Sequence, residues 1–95
     1  MFYVYIISNK SDGTLYIGQT DDLVKRMWEH KQRLRSGFAT KYNLDKLIWF
    51  DVFNAREDAF ATERRMKSWK RQWKINLIEK QNPDWIDLTQ TLSIM

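Results

Sequence analysis

Two tyrosines, an arginine, a histidine and a glutamate are the side chains of this 95-residue chain whose types and spacing suggest chemistry. Tyr5 lies in the apolar run Tyr3 to Ile7 and Tyr16 in the run Leu15 to Gly18, with a polar turn from Asn9 to Gly13 between them. That is the form of a β-hairpin with a longer loop. Strand alternation puts Tyr3, Tyr5 and Ile7 on one face, Val4 and Ile6 on the other, and points Leu15 and Ile17 away from Tyr16. The phenols of Tyr5 and Tyr16 can therefore share a face. Arg26 and His30 are four residues apart, which makes them neighbours on the surface of a helix. Glu63 follows Ala59 by four and precedes Met66 by three, on or at the edge of a core-facing helical stripe. A carboxylate there needs a partner, and the candidates are a base such as Lys67 or a metal ion. This set can support hydrolysis of a phosphodiester: the planar guanidinium matches phosphate oxygens. A phenol is a base only when a cation lowers its pKa from about 10 or its proton is passed onward. Each residue also has a plain reading: tyrosines that only pack, a solvated helical histidine, a structural ion pair.

Composition bounds what else the chain can be. Its length implies one domain, and a chain of this size buries only about 60 to 65% of its unfolded surface. Five Trp, four Tyr and five Phe must supply much of the core. The absence of cysteine excludes disulfides, thiolate metal sites and thiol nucleophiles. The N-terminal run lacks the basic start of a signal peptide and turns polar at Ser8, and no apolar run approaches the length of a membrane span. A soluble cytoplasmic protein is the expectation. The net charge of +4 is concentrated: seven bases from Lys25 to Lys46 stand against Glu29 and Asp45, and six from Arg64 to Lys74 against Glu63, each block +5. Clustered positive charge suits a polyanion such as nucleic acid, or simply makes two solvated helix faces.

The elements that must position the five side chains follow in order. After Gly18, Thr20, Asp21 and Asp22 offer N-cap oxygens for a helix whose stripe is Leu23, Met27, His30 and Leu34. Ser36 and Gly37 end that pattern. The connection from Gln32 to Asp45 is basic and holds Phe38 and Tyr42; it could lie along a phosphate backbone or be an ordinary loop pinned by those two rings. Leu47 to Phe53 is nearly continuous in apolar residues, which predicts a strand buried on both faces and central in its sheet. Asn54 with Glu57 reads as a capping pair for a second helix carrying Ala59, Met66 and Trp73, with Phe60 and Trp69 beside the stripe. A third helix spans about Gln72 to Lys80, with Leu77 and Ile78 inward and Asn82 before Pro83 as its stop. A tail from Asp84 packs through Trp85, Ile86 and Leu88 and frays at its end.

Tyr3 to Tyr5, Tyr16 to Gly18, the segment Gly18 to Arg26, His30 and the segment Ala61 to Lys67 resemble the GIY-YIG nuclease family, small stand-alone members and the nuclease module of excision-repair enzymes included. The second tripeptide, Tyr16, Ile17, Gly18, matches fully, whereas the first has Tyr3 where the name-giving glycine stands. The resemblance covers roughly Phe2 to Lys80. It implies an α+β fold, a small three-stranded antiparallel sheet flanked by helices in the order β-β-α-β-α-α. It further implies that Tyr5 accepts the proton of the attacking water, that Tyr16 orients water or phosphate, and that Arg26 clamps the scissile phosphate. His30 would donate to the phosphate or assist Tyr5. Glu63 would be the single protein ligand of a catalytic divalent metal, Mg²⁺ or Mn²⁺, with Asn76 as the nearest counterpart of a further asparagine.

The expectation is thus one domain over residues 1–95, with 84–95 as a C-terminal tail. Its function is Mg²⁺-dependent endonucleolytic cleavage of DNA, favoured over RNA, in repair or recombination. Lys25, Lys31, Arg33, Lys41, Lys67, Lys70 and Arg71 would contact the nucleic acid. No membrane and no small-molecule cofactor is expected, and a monomer is sufficient. The alternatives are a nucleic-acid-binding module with little catalysis, motivated by Tyr3, and a protein-interaction domain using the Trp-rich segment from Trp69 to Trp85.

Overall fold

The structure is a computed structural model that describes residues 1–35 and 37–92. Ser36, assigned above to the end of a helix, and residues 93–95, assigned to a frayed end, lie outside the described residues. The fold is α+β. Strands β1 (Phe2–Ser8), β2 (Leu15–Thr20) and β3 (Lys46–Phe53) form one antiparallel sheet in the order β2-β1-β3. Helix α1 (Leu23–Lys31) follows the hairpin, a single turn α2 (Phe38–Lys41) interrupts the connection to β3, and α3 (Arg56–Lys67), α4 (Arg71–Gln81) and the short α5 (Thr89–Leu92) complete the chain.

The hairpin folds as its alternation requires. Tyr5 pairs with Gly18 and Ile7 with Tyr16. Val4, Ile6 and Ile17 face a core that α3, α4 and Trp85 close with Ala59, Met66 and Ile78. Tyr5 and Ile7 face a second core made with Leu23, Met27, Ala39, Leu44, Leu47 and Leu92, with Tyr3 and Tyr16 packed against it. In the turn, Asp12 takes a left-handed φ of 54° that aspartate tolerates, and Asn9 Oδ1 accepts from the Thr14 amide at 3.1 Å. Asp22 caps α1, its carboxylate accepting from the Lys25 amide at 3.0 Å.

Strand β3 departs from expectation: it is an edge strand, and β1 is central. Its apolar run arises from a bulge. Ile6 pairs with Trp49 and Ile7 with Leu47, so Ile48 is an extra residue. Ile48 and the adjacent Trp49 consequently both join the first core, while Leu47 joins the second and Phe50 packs against it. The Ile48 carbonyl accepts from Asn82 Nδ2 at 3.0 Å, and Asn82 also bonds the carbonyl and amide of Ile86. A side chain expected only to stop a helix therefore ties bulge and tail together.

Other local assignments shift for related reasons. Helix α3 begins after Ala55, with no side-chain cap bond, so Asn54 does not cap it; Glu57 and Asp58 still put negative charge in its first turn. Helix α1 stops at Lys31, which leaves Leu34 exposed. Phe60 and Trp73 are exposed too, because α3 and α4 are separate helices and each buries a narrower stripe, and Ile86, beyond α4, is exposed as well. Of the Trp-rich segment, Trp85 is buried, Trp69 half-buried and Trp73 exposed, Trp69 and Trp73 meeting edge-on at 6.3 Å. Finally, Ala39 and Leu44 are the buried anchors of the connection, whereas Phe38 and Tyr42 are exposed and do not pin it to the core. No described helix is long and apolar enough to cross a membrane.

Candidate active site

Tyr5 is the centre around which the polar groups gather. It has no exposed surface, and its ring lies directly across from Gly18. A Cβ at Gly18 would meet the Tyr5 hydroxyl at 2.5 Å, so the second tripeptide ends in glycine because the tyrosine of the first occupies that space. Arg26 Nη1 donates to Tyr5 Oη at 3.2 Å and to the Gln19 carbonyl at 3.3 Å, fastening α1 to β2. His30 Nε2 lies 3.1 Å from the same hydroxyl. A guanidinium only donates, and in an Nδ1–H tautomer His30 Nε2 would accept the hydroxyl proton.

Charge and burial reinforce that assignment. Burial holds His30 down to about 4, helped by the positive charges of Arg26 and Arg35. The ring is neutral at pH 7 and can accept a proton. Burial pushes the Tyr5 phenol above its ordinary value near 10, and the Arg26 hydrogen bond and charge offset this only in part. A free tyrosinate is thus disfavoured, and the same burial and arginine charges also disfavour a protonated His30 until a negative charge enters the site.

Tyr16 borders this group, its ring centroid 6.4 Å from that of His30. On its other side Lys67 Nζ lies 5.6 Å from the Tyr16 ring centre and 3.5 Å from Glu63 Oε2. The Glu63 side chain is only 13% exposed, consistent with its place at the edge of the α3 stripe. Tyr16 is therefore close both to His30 and to Lys67, the partner of Glu63. A metal ion fits here only on restricted terms. Among the described residues no group of three or more His, Cys, Asp or Glu is arranged to hold one. A lone carboxylate suits Mg²⁺ or Mn²⁺, which retain several waters and share substrate oxygens, and does not suit a protein-ligated zinc site. Asn76 is exposed and accepts from Gln72 on its own helix.

Two participants were not anticipated. Glu29 lies 3.6 Å from Arg26 Nε and 3.4 Å from Arg35 Nη1, bridging two cations along a polar pocket of about 190 Å³ rimmed by Thr20, Asp22 and Lys25. The spacing of Glu29, three residues after Arg26, was the available signal. A larger pocket of about 340 Å³, lined by Tyr3, Val24, Phe50 and Leu92, is mostly apolar and touches none of Tyr5, Arg26 and His30. Among the bases expected to meet nucleic acid, Lys25, Arg33, Lys41, Lys67 and Lys70 are exposed. Lys31 and Arg71 are exposed too, Lys31 also bonding the Asp45 carbonyl and Asp87, and Arg71 Nη2 the Gly13 carbonyl at 2.6 Å.

Comparison with known proteins agrees with this architecture. A family model described as the GIY-YIG catalytic domain matches residues 1–76. A UPF0213 protein of Staphylococcus saprophyticus is 30% identical over 78 residues, which is 82% of this chain and 94% of that protein. One from Haloquadratum walsbyi is 35% identical over 82 residues, 82% of this chain and 86% of that protein. The solution NMR structure of a UPF0213 protein from Bacillus halodurans has a TM-score of 0.57 at 25% identity, covering 95% of this chain and 96% of that one.

Proposed function

Because the chain belongs to the GIY-YIG family, a family of nucleases, we propose that it is a metal-dependent endonuclease that hydrolyses phosphodiester bonds of DNA. The observation that most supports this reading is the buried Tyr5 hydroxyl bonded to both Arg26 and His30. Arg26 is the solvent-side cover of Tyr5, with about a fifth of its side chain exposed at 22%. A phosphate that draws the guanidinium outward gains a bidentate clamp and uncovers the phenol. Tyr5 would then take a proton from the attacking water as it gives its own to neutral His30, whose protonated form the negative charge of the bound phosphate would stabilise, so no free tyrosinate is needed. Tyr16, beside His30, orients that water or the phosphate. Glu63 holds the divalent metal, which when bound stabilises negative charge developing on the leaving oxygen. Lys67, the partner of Glu63 at 3.5 Å and half exposed, would meet the phosphate backbone. DNA repair or recombination in the cytoplasm is the corresponding setting.

The competing reading, a nucleic-acid binder with little catalysis, is favoured by the complete burial of Tyr5 and by Tyr3 in the first motif. Titrating the purified protein with Mg²⁺ against labelled linear and branched DNAs separates the two. Mg²⁺-dependent product supports the nuclease; binding of DNA without product at any Mg²⁺ concentration supports the binder.

A further inference from the structure

We infer that Tyr16, Phe38 and Tyr42 form a stacking platform for unpaired bases beside the scissile phosphate, so that the substrate is a nucleic acid single-stranded at the cut. This deepens the nuclease reading above and rests on it. The three rings make a ladder leading outward from the catalytic group. The Tyr16 ring is 6.4 Å from His30, Phe38 lies 6.3 Å from Tyr16 with the rings inclined by 27°, and Tyr42 is 4.7 Å from Phe38.

Phe38 and Tyr42 are 46% and 42% exposed, yet the turn carrying them is fixed from beneath by buried Ala39 and Leu44. Gly37, with φ 109°, starts that turn in a conformation few other residues adopt. Two aromatic faces are thus held in water on a defined support. Cations stand at both ends of the ladder: Lys67 Nζ is 5.6 Å from the Tyr16 ring centre and Lys41 Nζ 5.5 Å from that of Tyr42. Aromatic rings flanked by lysines offer stacking partners to bases and charge to the phosphates of the same strand. A paired duplex keeps its base faces inside the stack, so only an unpaired segment can use these rings. Phe38 and Tyr42 then act as specificity residues, Phe38 next to Tyr16 and Tyr42 one step further out.

The test measures affinity of the full chain, without divalent metal, for a single-stranded oligonucleotide and for the duplex of the same length. The proteins compared are wild type, Phe38→Leu, Phe38→Trp and Tyr42→Leu, each checked by thermal melting. The expected result is that both leucine variants bind the single strand about 5- to 100-fold more weakly, the range that base–aromatic stacking gives, with duplex affinity unchanged. Phe38→Trp should bind the single strand as wild type does, and a 2-aminopurine in it should be quenched by wild type and Phe38→Trp alone among the Phe38 proteins. Equal losses on single strand and duplex, or a Phe38→Leu variant as good as Phe38→Trp, would overturn the platform while leaving the nuclease reading standing. Absence of binding to either form by wild type would remove both.

Discussion

At Tyr5 two influences oppose each other: burial raises the phenol above its usual range, and the Arg26 hydrogen bond and charge pull it back. In the proposed mechanism His30 takes the Tyr5 proton, and its own titration can be measured. Its pKa falls from 6.5 in the unfolded chain to about 4 in the fold, so between these values the unfolded state binds the extra proton. The stability that His30 contributes is full above pH 6.5 and is lost as pH falls towards 4. Asp87 is held below 3.8: burial works against its ionisation, but hydrogen bonds from Lys31 and Thr89 outweigh it, so its contribution is lost only at lower pH. Denaturant midpoints from pH 7 to 4 should therefore decline in wild type and decline less in His30→Gln. Arg26 is tested by Arg26→Lys, which keeps the charge but not the two parallel bonds to phosphate. Cleavage should fall about 10²- to 10³-fold, the cost of losing an aligned transition-state donor; near-normal turnover would reduce Arg26 to part of a basic surface.

Among the elements, strand β3 and its bulge depend on one side chain from elsewhere. Asn82→Ala leaves the Ile48 carbonyl and both backbone groups of Ile86 without their partner. Urea unfolding should register a loss of about 1–3 kcal/mol. Cleavage per folded molecule should be unchanged, since Asn82 touches no candidate site residue. The same region marks the limit of what the sequence discloses. The faces of the hairpin and the Asp22 cap were legible because alternation and a capping oxygen are local properties. So were the pairing of Arg26 with His30 and the edge position of Glu63, which follow from helical spacing. The place of β3 was not, because an apolar run reports burial and says nothing of its neighbours in the sheet. A one-residue bulge that turns Ile48 and Trp49 towards the same core mimics a central strand. The Asn54 cap failed in the same way: the residue type was suitable, but the helix began one residue later than the pattern requires. Glu29 and Arg35 escaped notice because their bridge closes only when the chain beyond α1 turns back.

Over the whole molecule, charge is divided unevenly, with two blocks of +5 in a chain of net +4. One block covers α1, α2 and their connection, the other the end of α3 and the start of α4, and Tyr16 lies near both His30 of the first and Lys67 of the second. DNA affinity should consequently fall steeply with salt, log K losing about 0.9 per decade for each phosphate neutralised. Fluorescence anisotropy from low to physiological salt measures this, and binding insensitive to salt would argue against both nucleic-acid readings. Binding and catalysis should nonetheless separate at Glu63, whose carboxylate is the one proposed to hold metal. Glu63→Gln keeps size and shape, and its lost ion pair with a half-exposed Lys67 is worth only about 0–1 kcal/mol. The most direct test is Mg²⁺-dependent cleavage by wild type and Glu63→Gln, with DNA affinity and melting temperature measured on the same samples. The account predicts that cleavage collapses in Glu63→Gln while affinity and melting temperature stay close to wild type; cleavage that survives unchanged would contradict it.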